Sequence, residues 1–326
     1  MSSILAVGTV AYDSVETPFG QADEVLGGSV TYFSVAASFF TGVSLVGCVG
    51  QDFRKKDQET LEARNIDLKG LQHIQGETFR WKGKYGDDLN DALTLETHLN
   101  VLEGFRPNVP SSYRSSEYVF LGNISPVLQR KVLAQIHQPR LIVCDTMNYW
   151  ISGDFESLLE TLSHVDILLV NDAEARQLTQ EYNLVKAARK VHAWGPHTLV
   201  IKRGEHGVLM LQNQSGRPEE SGQVAGRVMK NKPVAGMSVF SAPAYPLENI
   251  LDPTGAGDSF AGGFVGHLAG INRLDFSAIC QAIIFGSVMA SFNVESFSLD
   301  RLKELDYSEI ELRYREFREM MSFDKI

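Results

Sequence analysis

Cysteine is scarce in this chain. The three residues, Cys48, Cys144 and Cys280, lie far apart with no CxxC spacing, so neither a disulfide framework nor a zinc site is expected, and all three read as buried thiols. Nowhere do about 18 apolar residues run unbroken. Met1–Val10 lacks a basic segment followed by a long apolar run. The expectation is a cytoplasmic protein with no membrane partner. Positive charge is short too: 30 Lys and Arg against 40 Asp and Glu leave a net −10. That sign repels a polyanion and argues against nucleic acid as the main partner, although a local basic pocket for one phosphate is compatible with it.

Several catalytic signatures are also missing. GxxxxGK[ST] is absent, which excludes a P-loop, and Phe260 stands where the third glycine of GxGxxG would follow Gly255-Ala256-Gly257. HExxH, GxSxG and the protein-kinase HRD do not occur, and the histidines form no cluster from which a metal site or a triad could be built.

What is present is an α/β rhythm in a chain of 326 residues, a length that suits two domains or one large α/β domain with an appendage. Short runs rich in Val, Ile and Leu at Ile4–Val7, Val43–Val49, Tyr118–Leu121, Leu141–Cys144, Ile167–Val170, Thr198–Ile201 and Val208–Leu211 read as strands covered on both faces. Between them, helical spacing predicts helices over Thr31–Phe40, Phe53–Arg64, Pro126–His137, Phe155–Ser163, Asn171–Thr179 and Val185–Trp194. The mixed segment from Gly8 through Gly20 reads as a strand leaving the sheet edge-first. Residues Glu77–Leu102 change to period two, predicting a hairpin-like sheet, and Gln212–Ala244 reads as a loop-rich excursion. Gly257–Ala269, Phe276–Phe292 and Tyr307–Met321 close the chain as helices. The pattern calls for a mainly parallel sheet wound on both faces.

The strongest chemical signal is Asp252-Pro253-Thr254-Gly255-Ala256-Gly257-Asp258-Ser259-Phe260. A proline-fixed turn passes through two glycines into a helix, so unpaired N–H groups and the helix dipole point at one spot where an anion can sit. Asp258 lies beside those donors, where a carboxylate could take the proton of an attacking alcohol. A purely structural reading, with Asp258 favouring the helix end and the glycines allowing tight packing, accounts for the bare GxGD equally well.

The complete string closely resembles the signature of the ribokinase-like, or PfkB carbohydrate kinase, family, and the resemblance spans essentially the whole chain. It implies a single ribokinase-like α/β domain over residues 1–326 with a small β-sheet lid formed by about residues 10–26 and 74–103. It implies ATP-dependent phosphorylation of an alcohol of a sugar or sugar-like polyol, with Asp258 as base and the amides of Gly255, Ala256 and Gly257 holding the transferring phosphoryl charge. Asp13, Gly27 and Gly28 match the positions that meet substrate hydroxyls. Asn171 and Glu174 match NxxE, which organises Mg²⁺ near the nucleotide phosphates largely through water; as an isolated pattern, Asn171 is equally readable as a helix N-cap. Lys202 and Gly204, in the turn of Lys202-Arg203-Gly204-Glu205-His206-Gly207, and Thr254 match nucleotide-binding positions.

Three departures stand out. Where many relatives read GGxxxN this chain reads Gly27-Gly28-Ser29-Val30-Thr31-Tyr32, so Tyr32 replaces an amide that binds a hydroxyl. The family commonly has Thr at the place of Lys202; a lysine there reads either as a phosphate contact or as a surface charge. Asp145 to Asn148 resembles the D-x-N region with one extra residue. Phe79, Arg80 and Trp81 fall in the lid, suggesting an aromatic and cationic cover with Arg80 on the substrate, or an apolar face that meets a second copy in a homodimer. Nucleoside and inositol kinases of the same family, and a catalytically silent nucleotide or sugar sensor, are the alternatives. Some members need a monovalent cation beside the anion turn, and side chains alone do not assign that site here.

Overall fold

A computed structural model describes residues 3–90, 92–214 and 236–322. In chain order its strands are β1 (Ile4–Val7), β2 (Ala11–Thr17), β3 (Gly20–Gly27), β4 (Val43–Val49), β5 (Ile66–His73), β6 (Phe79–Tyr85), β7 (Ala92–His98), β8 (Tyr118–Leu121), β9 (Leu141–Asp145), β10 (Ile167–Asn171), β11 (Thr198–Lys202), β12 (Val208–Asn213) and β13 (Met237–Ala242). The helices are α1 (Ser29–Ala37), α2 (Lys55–Ala63), α3 (Pro126–Leu133), α4 (Asn148–Gly153), α5 (Phe155–Leu162), α6 (Asp172–Thr179), α7 (Leu184–Trp194), α8 (Ala256–Ile271), α9 (Phe276–Asn293), α10 (Asp300–Glu304) and α11 (Tyr307–Met320).

Nine strands form one sheet in the order β13-β12-β11-β10-β9-β8-β1-β4-β5. Every pairing from β11 through β5 is parallel, and β12 and β13 add on antiparallel. Because side chains alternate across a strand, consecutive residues of β1 enter different cores. Ile4 and Ala6 pack with Phe33, Phe264 and Met289 from α1, α8 and α9, whereas Leu5 and Val7 pack with Val132, Leu158 and Val191 from α3, α5 and α7. Double coverage explains the apolar runs of the central strands.

The order reverses at β1, with β4 and β5 on one side and β8 on the other, which opens a crevice at the carboxyl ends of the strands. Over that end lies a second sheet, β3-β2-β6-β7. Its strands come from residues 11–27 and 79–98. The edge strand β5, helix α4 and strand β13 were not expected; β13 lies inside the excursion, of which residues 215–235 fall outside the described chain. Among the described residues one helix, α9, is long and apolar enough to cross a membrane by length and composition, but 67% of it is buried in the fold. Cys48 and Cys144 are buried free thiols, while Cys280 is partly exposed, contrary to the expectation for all three.

Candidate active site

Three parallel strands end side by side. Register pairs Asp145 of β9 with Leu169 of β10, and Asn171 of β10 with Lys202 of β11, so one acid, one amide and one ammonium reach the crevice together. Lys202 Nζ donates to Asp145 Oδ2 at 3.0 Å, and both side chains are largely buried. The same ammonium reaches the turn before α8: a Cβ built on Gly257 would lie 3.0 Å from Lys202 Nζ. Lys202 is therefore no surface charge. Burial opposes its charge, but Asp145, Glu174 and Asp258 together hold its pKa above the ordinary lysine value.

The turn itself is locked from several sides. Asp252 Oδ1 accepts from the Thr254 amide at 2.8 Å, and the Thr254 carbonyl accepts from Asn293 Nδ2 at 2.7 Å. Gly255 adopts φ 76°, ψ 0° as the N-cap of α8, and its α-carbon lies against the buried ring of Tyr32, where a Cβ would come within 2.4 Å. The Ala256 amide donates to the Pro253 carbonyl at 3.1 Å. This alters the expectation that all three amides of Gly255, Ala256 and Gly257 face the anion: Ala256 helps to close the turn, while the amides of Gly255 and Gly257 have no backbone acceptor among the described residues.

Asp258 follows in the first turn of α8. It keeps some accessible surface but is hemmed in on its other sides. Burial raises its pKa well above the usual carboxylate range, Asp145 adds to the rise, Lys202 opposes it, and Asp13 and Glu174 add to it. Such a carboxylate readily accepts a proton.

Asp13 occupies the substrate side. Its Oδ2 accepts from the Gly28 amide at 3.3 Å, and a Cβ on Gly27 would lie 1.9 Å from that same oxygen, so only glycine leaves room for it. Burial pushes the Asp13 pKa up to about 7, the Gly28 bond lowers it and Asp252 raises it. Gly28 caps α1 at φ 94°. Tyr32, which stands where an amide was expected to bind a substrate hydroxyl, is 1% exposed and lies within reach of the charges of Asp13, Asp252 and Asp258.

The second sheet corrects the expectation for Arg80. β2 and β6 pair in parallel with Tyr12 beside Arg80 and Asp13 beside Trp81, and paired residues share a face. Arg80 therefore projects away from the Asp13 face. Its guanidinium is taken up by Glu24 and Asp52, both at 2.9 Å, and by the ring of Tyr12. Trp81 lies on the Asp13 face, with its ring over Gly83. Tyr85 was not anticipated: its hydroxyl accepts from Thr254 Oγ1 at 3.4 Å, tying the sheet to the anion turn. Period two located the strand but not which of its faces is inward.

Asn171 caps α6 through a reciprocal box, its Oδ1 accepting from the Glu174 amide at 2.7 Å and its own amide donating to Glu174 Oε2 at 2.8 Å. The capping reading and proximity to the site thus hold together, since Glu174 acts electrostatically on both Lys202 and Asp258. Gly204 opens the turn between β11 and β12 at φ 53°, where a Cβ would lie 2.8 Å from Asn90 Oδ1 of the second sheet's hairpin.

Comparison with known proteins agrees with this geometry. The family model described as "pfkB family carbohydrate kinase" matches residues 23–304. The chain is 29% identical over 279 residues to a cytidine kinase of Thermococcus kodakarensis, covering 84% of this chain and 90% of that protein. It is 31% identical over 294 residues to a ribokinase of Haemophilus influenzae, covering 86% and 84%. The crystal structure of a nucleoside kinase from Methanocaldococcus jannaschii superposes with a TM-score of 0.71 at 18% identity, covering 97% of this chain and 99% of the other, which establishes the ribokinase fold. With the family signature running from the second sheet to the helices after the anion turn, the chain belongs to the pfkB family of carbohydrate kinases, ATP-using phosphotransferases that act on sugar or nucleoside alcohols.

Proposed function

We propose that the acceptor is the ribosyl hydroxyl of a nucleoside and that Asp258 is the base. The observation that carries this reading is the meeting of Asp258, the α-carbon of Gly255 and the buried Asp13 around one ring, that of Tyr32. Asp13 accepts hydrogen bonds from ribose hydroxyls and orients the sugar. Asp258 takes the proton of the attacking hydroxyl as its oxygen bonds to the γ-phosphorus, and the bond from that phosphorus to the β-phosphate oxygen breaks, leaving ADP. The amides of Gly255 and Gly257 stabilise charge on the transferring group. Positioning accounts for most of the acceleration.

A nucleoside is favoured over a bare sugar because Trp81 shares the face of Asp13, where an aromatic ring can flank a base, and because a cytidine kinase is among the relatives. Gly204, Thr254 and Lys202 line the nucleotide side. Asn171 and Glu174 would hold Mg²⁺ through water, and the ion would supply positive charge beside the ATP phosphates. The donor set fits an outer-sphere hold: one amide and one carboxylate are fixed by a capping box, and no group of three His, Cys, Asp or Glu side chains suited to direct ligation occurs among the described residues. Asp252 Oδ2 is buried with no hydrogen-bond partner among the described residues, which suits a monovalent cation beside the turn. The four-stranded sheet serves as the lid of a single domain. Its edge strand β7 exposes Leu93 and Leu95 and forms the face for a second copy.

The test is a coupled ADP-release assay with cytidine, adenosine, inosine, D-ribose and myo-inositol. Turnover greatest on a nucleoside is expected. Turnover on D-ribose or myo-inositol alone reassigns the acceptor, and binding without turnover on every compound favours a sensor.

A further inference from the structure

Lys202 stands at the centre of the site with a tether. Its ammonium is 3.0 Å from Asp145 Oδ2, and it leans on Gly257, which like Gly255 has no side chain and no backbone acceptor for its amide among the described residues. An ammonium carries three donors, and Asp145 is the single hydrogen-bond acceptor seen for it among the described residues. The ammonium also borders the space that a side chain on Gly257 would fill. Around it the site is rich in negative charge: Asp145, Asp13 and Glu174 all act on Asp258, and Lys202 is the positive group opposing them. A γ-phosphoryl group brings still more negative charge to the same place.

We propose that Lys202 is a catalytic residue that binds the transferring γ-phosphoryl group together with the Gly257 amide, and that Asp145 is its positioning residue. Asp145 is itself held, its Oδ1 accepting from the Thr146 amide at 2.8 Å, so the ammonium is aimed before the nucleotide arrives. No proton is transferred by Lys202; it offsets charge on the phosphoryl oxygens while the oxygen–phosphorus bonds exchange. This rests on the kinase reading of the anion turn but not on the identity of the acceptor.

Binding therefore provides the test independently of turnover. Titration calorimetry compares ADP with a non-hydrolysable ATP analogue, each with Mg²⁺, on the full chain and on Lys202→Met. The analogue is expected to lose about tenfold or more in affinity, the size of a charge-assisted contact, while ADP loses little. Equal losses for both nucleotides overturn the proposal, because they place Lys202 on the inner phosphates or in a structural role; no loss for either overturns it as well. Removing Lys202 alone strands a buried carboxylate, so the double variant Lys202→Met, Asp145→Asn, which leaves no lone charge, is measured in parallel with the same expectation. If the wild-type chain binds the analogue normally but turns over no nucleoside, the acceptor assignment fails and this one stands.

Discussion

The ring of Tyr32 lies flat against the α-carbon of Gly255, so close that a methyl group there would come within 2.4 Å of it. Tyr32 is fully enclosed and cannot retreat. Gly255→Ala should therefore suffer twice, from the positive φ and from the ring. We expect a lowered Tm and a fall in kcat/KM of about a hundredfold, the scale of a misplaced oxyanion donor; a variant with wild-type kinetics would show that the turn tolerates displacement.

Asp258→Asn should reduce kcat by about a thousandfold, within the range for loss of a positioned base, while leaving nucleotide affinity close to wild type. Its Tm should not fall, because a buried carboxylate among Asp145, Asp13 and Glu174 disfavours its own ionised form. Kinetics, calorimetry and a thermal melt measure the three quantities.

The pH dependence of stability should carry the mark of Asp13. Its pKa rises from 3.8 unfolded to about 7 folded, so between those values the folded state binds the extra proton. Stability from this group is thus greatest below about pH 4, declines as pH rises to about 7, and is flat above, a total of about 4 kcal/mol. Asp13→Asn should flatten that decline in urea-unfolding free energies measured from pH 4 to 8. An unchanged slope would assign it to other groups.

Arg80 and Trp81 are neighbours with opposite expected effects. Arg80→Ala removes a network with Glu24 and Asp52 and should cost about 1 kcal/mol of stability without changing the acceptor KM. Trp81→Ala should raise the acceptor KM about tenfold or more with little effect on nucleotide affinity. The reverse assignment of KM effects would mean that the sheet presents its other face.

Leu93→Glu with Leu95→Glu should shift a dimer to monomer in analytical ultracentrifugation, since both leucines are exposed on the edge strand β7. A wild-type chain that sediments as a monomer would refute that assembly.

Legibility followed burial. Tyr118–Leu121 was readable to the residue because a strand covered on both faces shows an unbroken apolar run. Ile66–His73 was not, since an edge strand carries Asp67 and Lys69 and fully buries only Ile66, Gly70 and Leu71. Met237–Ala242 is similar, a short half-exposed strand at the other edge. In the site, the anion turn was readable as a glycine turn entering a helix because that depends on local backbone, whereas Asp13, Gly27 and Gly28 were picked out only by the resemblance to the family. Lys202 was ambiguous from sequence because its partner Asp145 is reached only through the register of three strands. Tyr85 was silent for a comparable reason: its hydroxyl meets Thr254, 169 positions away.

The helices that begin at Gly28 and Gly255 are packed almost backbone to backbone. A Cβ on Gly262 would lie 2.4 Å from the Phe33 carbonyl, and one on Gly266 would lie 3.0 Å from the α-carbon of Ala37. Acceptor glycines and anion turn thus ride on one stiff block, and neither can shift without dragging the other. If the four-stranded sheet is the lid proposed above, the widening that admits an acceptor or releases a nucleotide falls to it, and the slowest part of each turnover is then to be sought in its joints with the body, such as Thr17 to Leu251 and Tyr85 to Thr254.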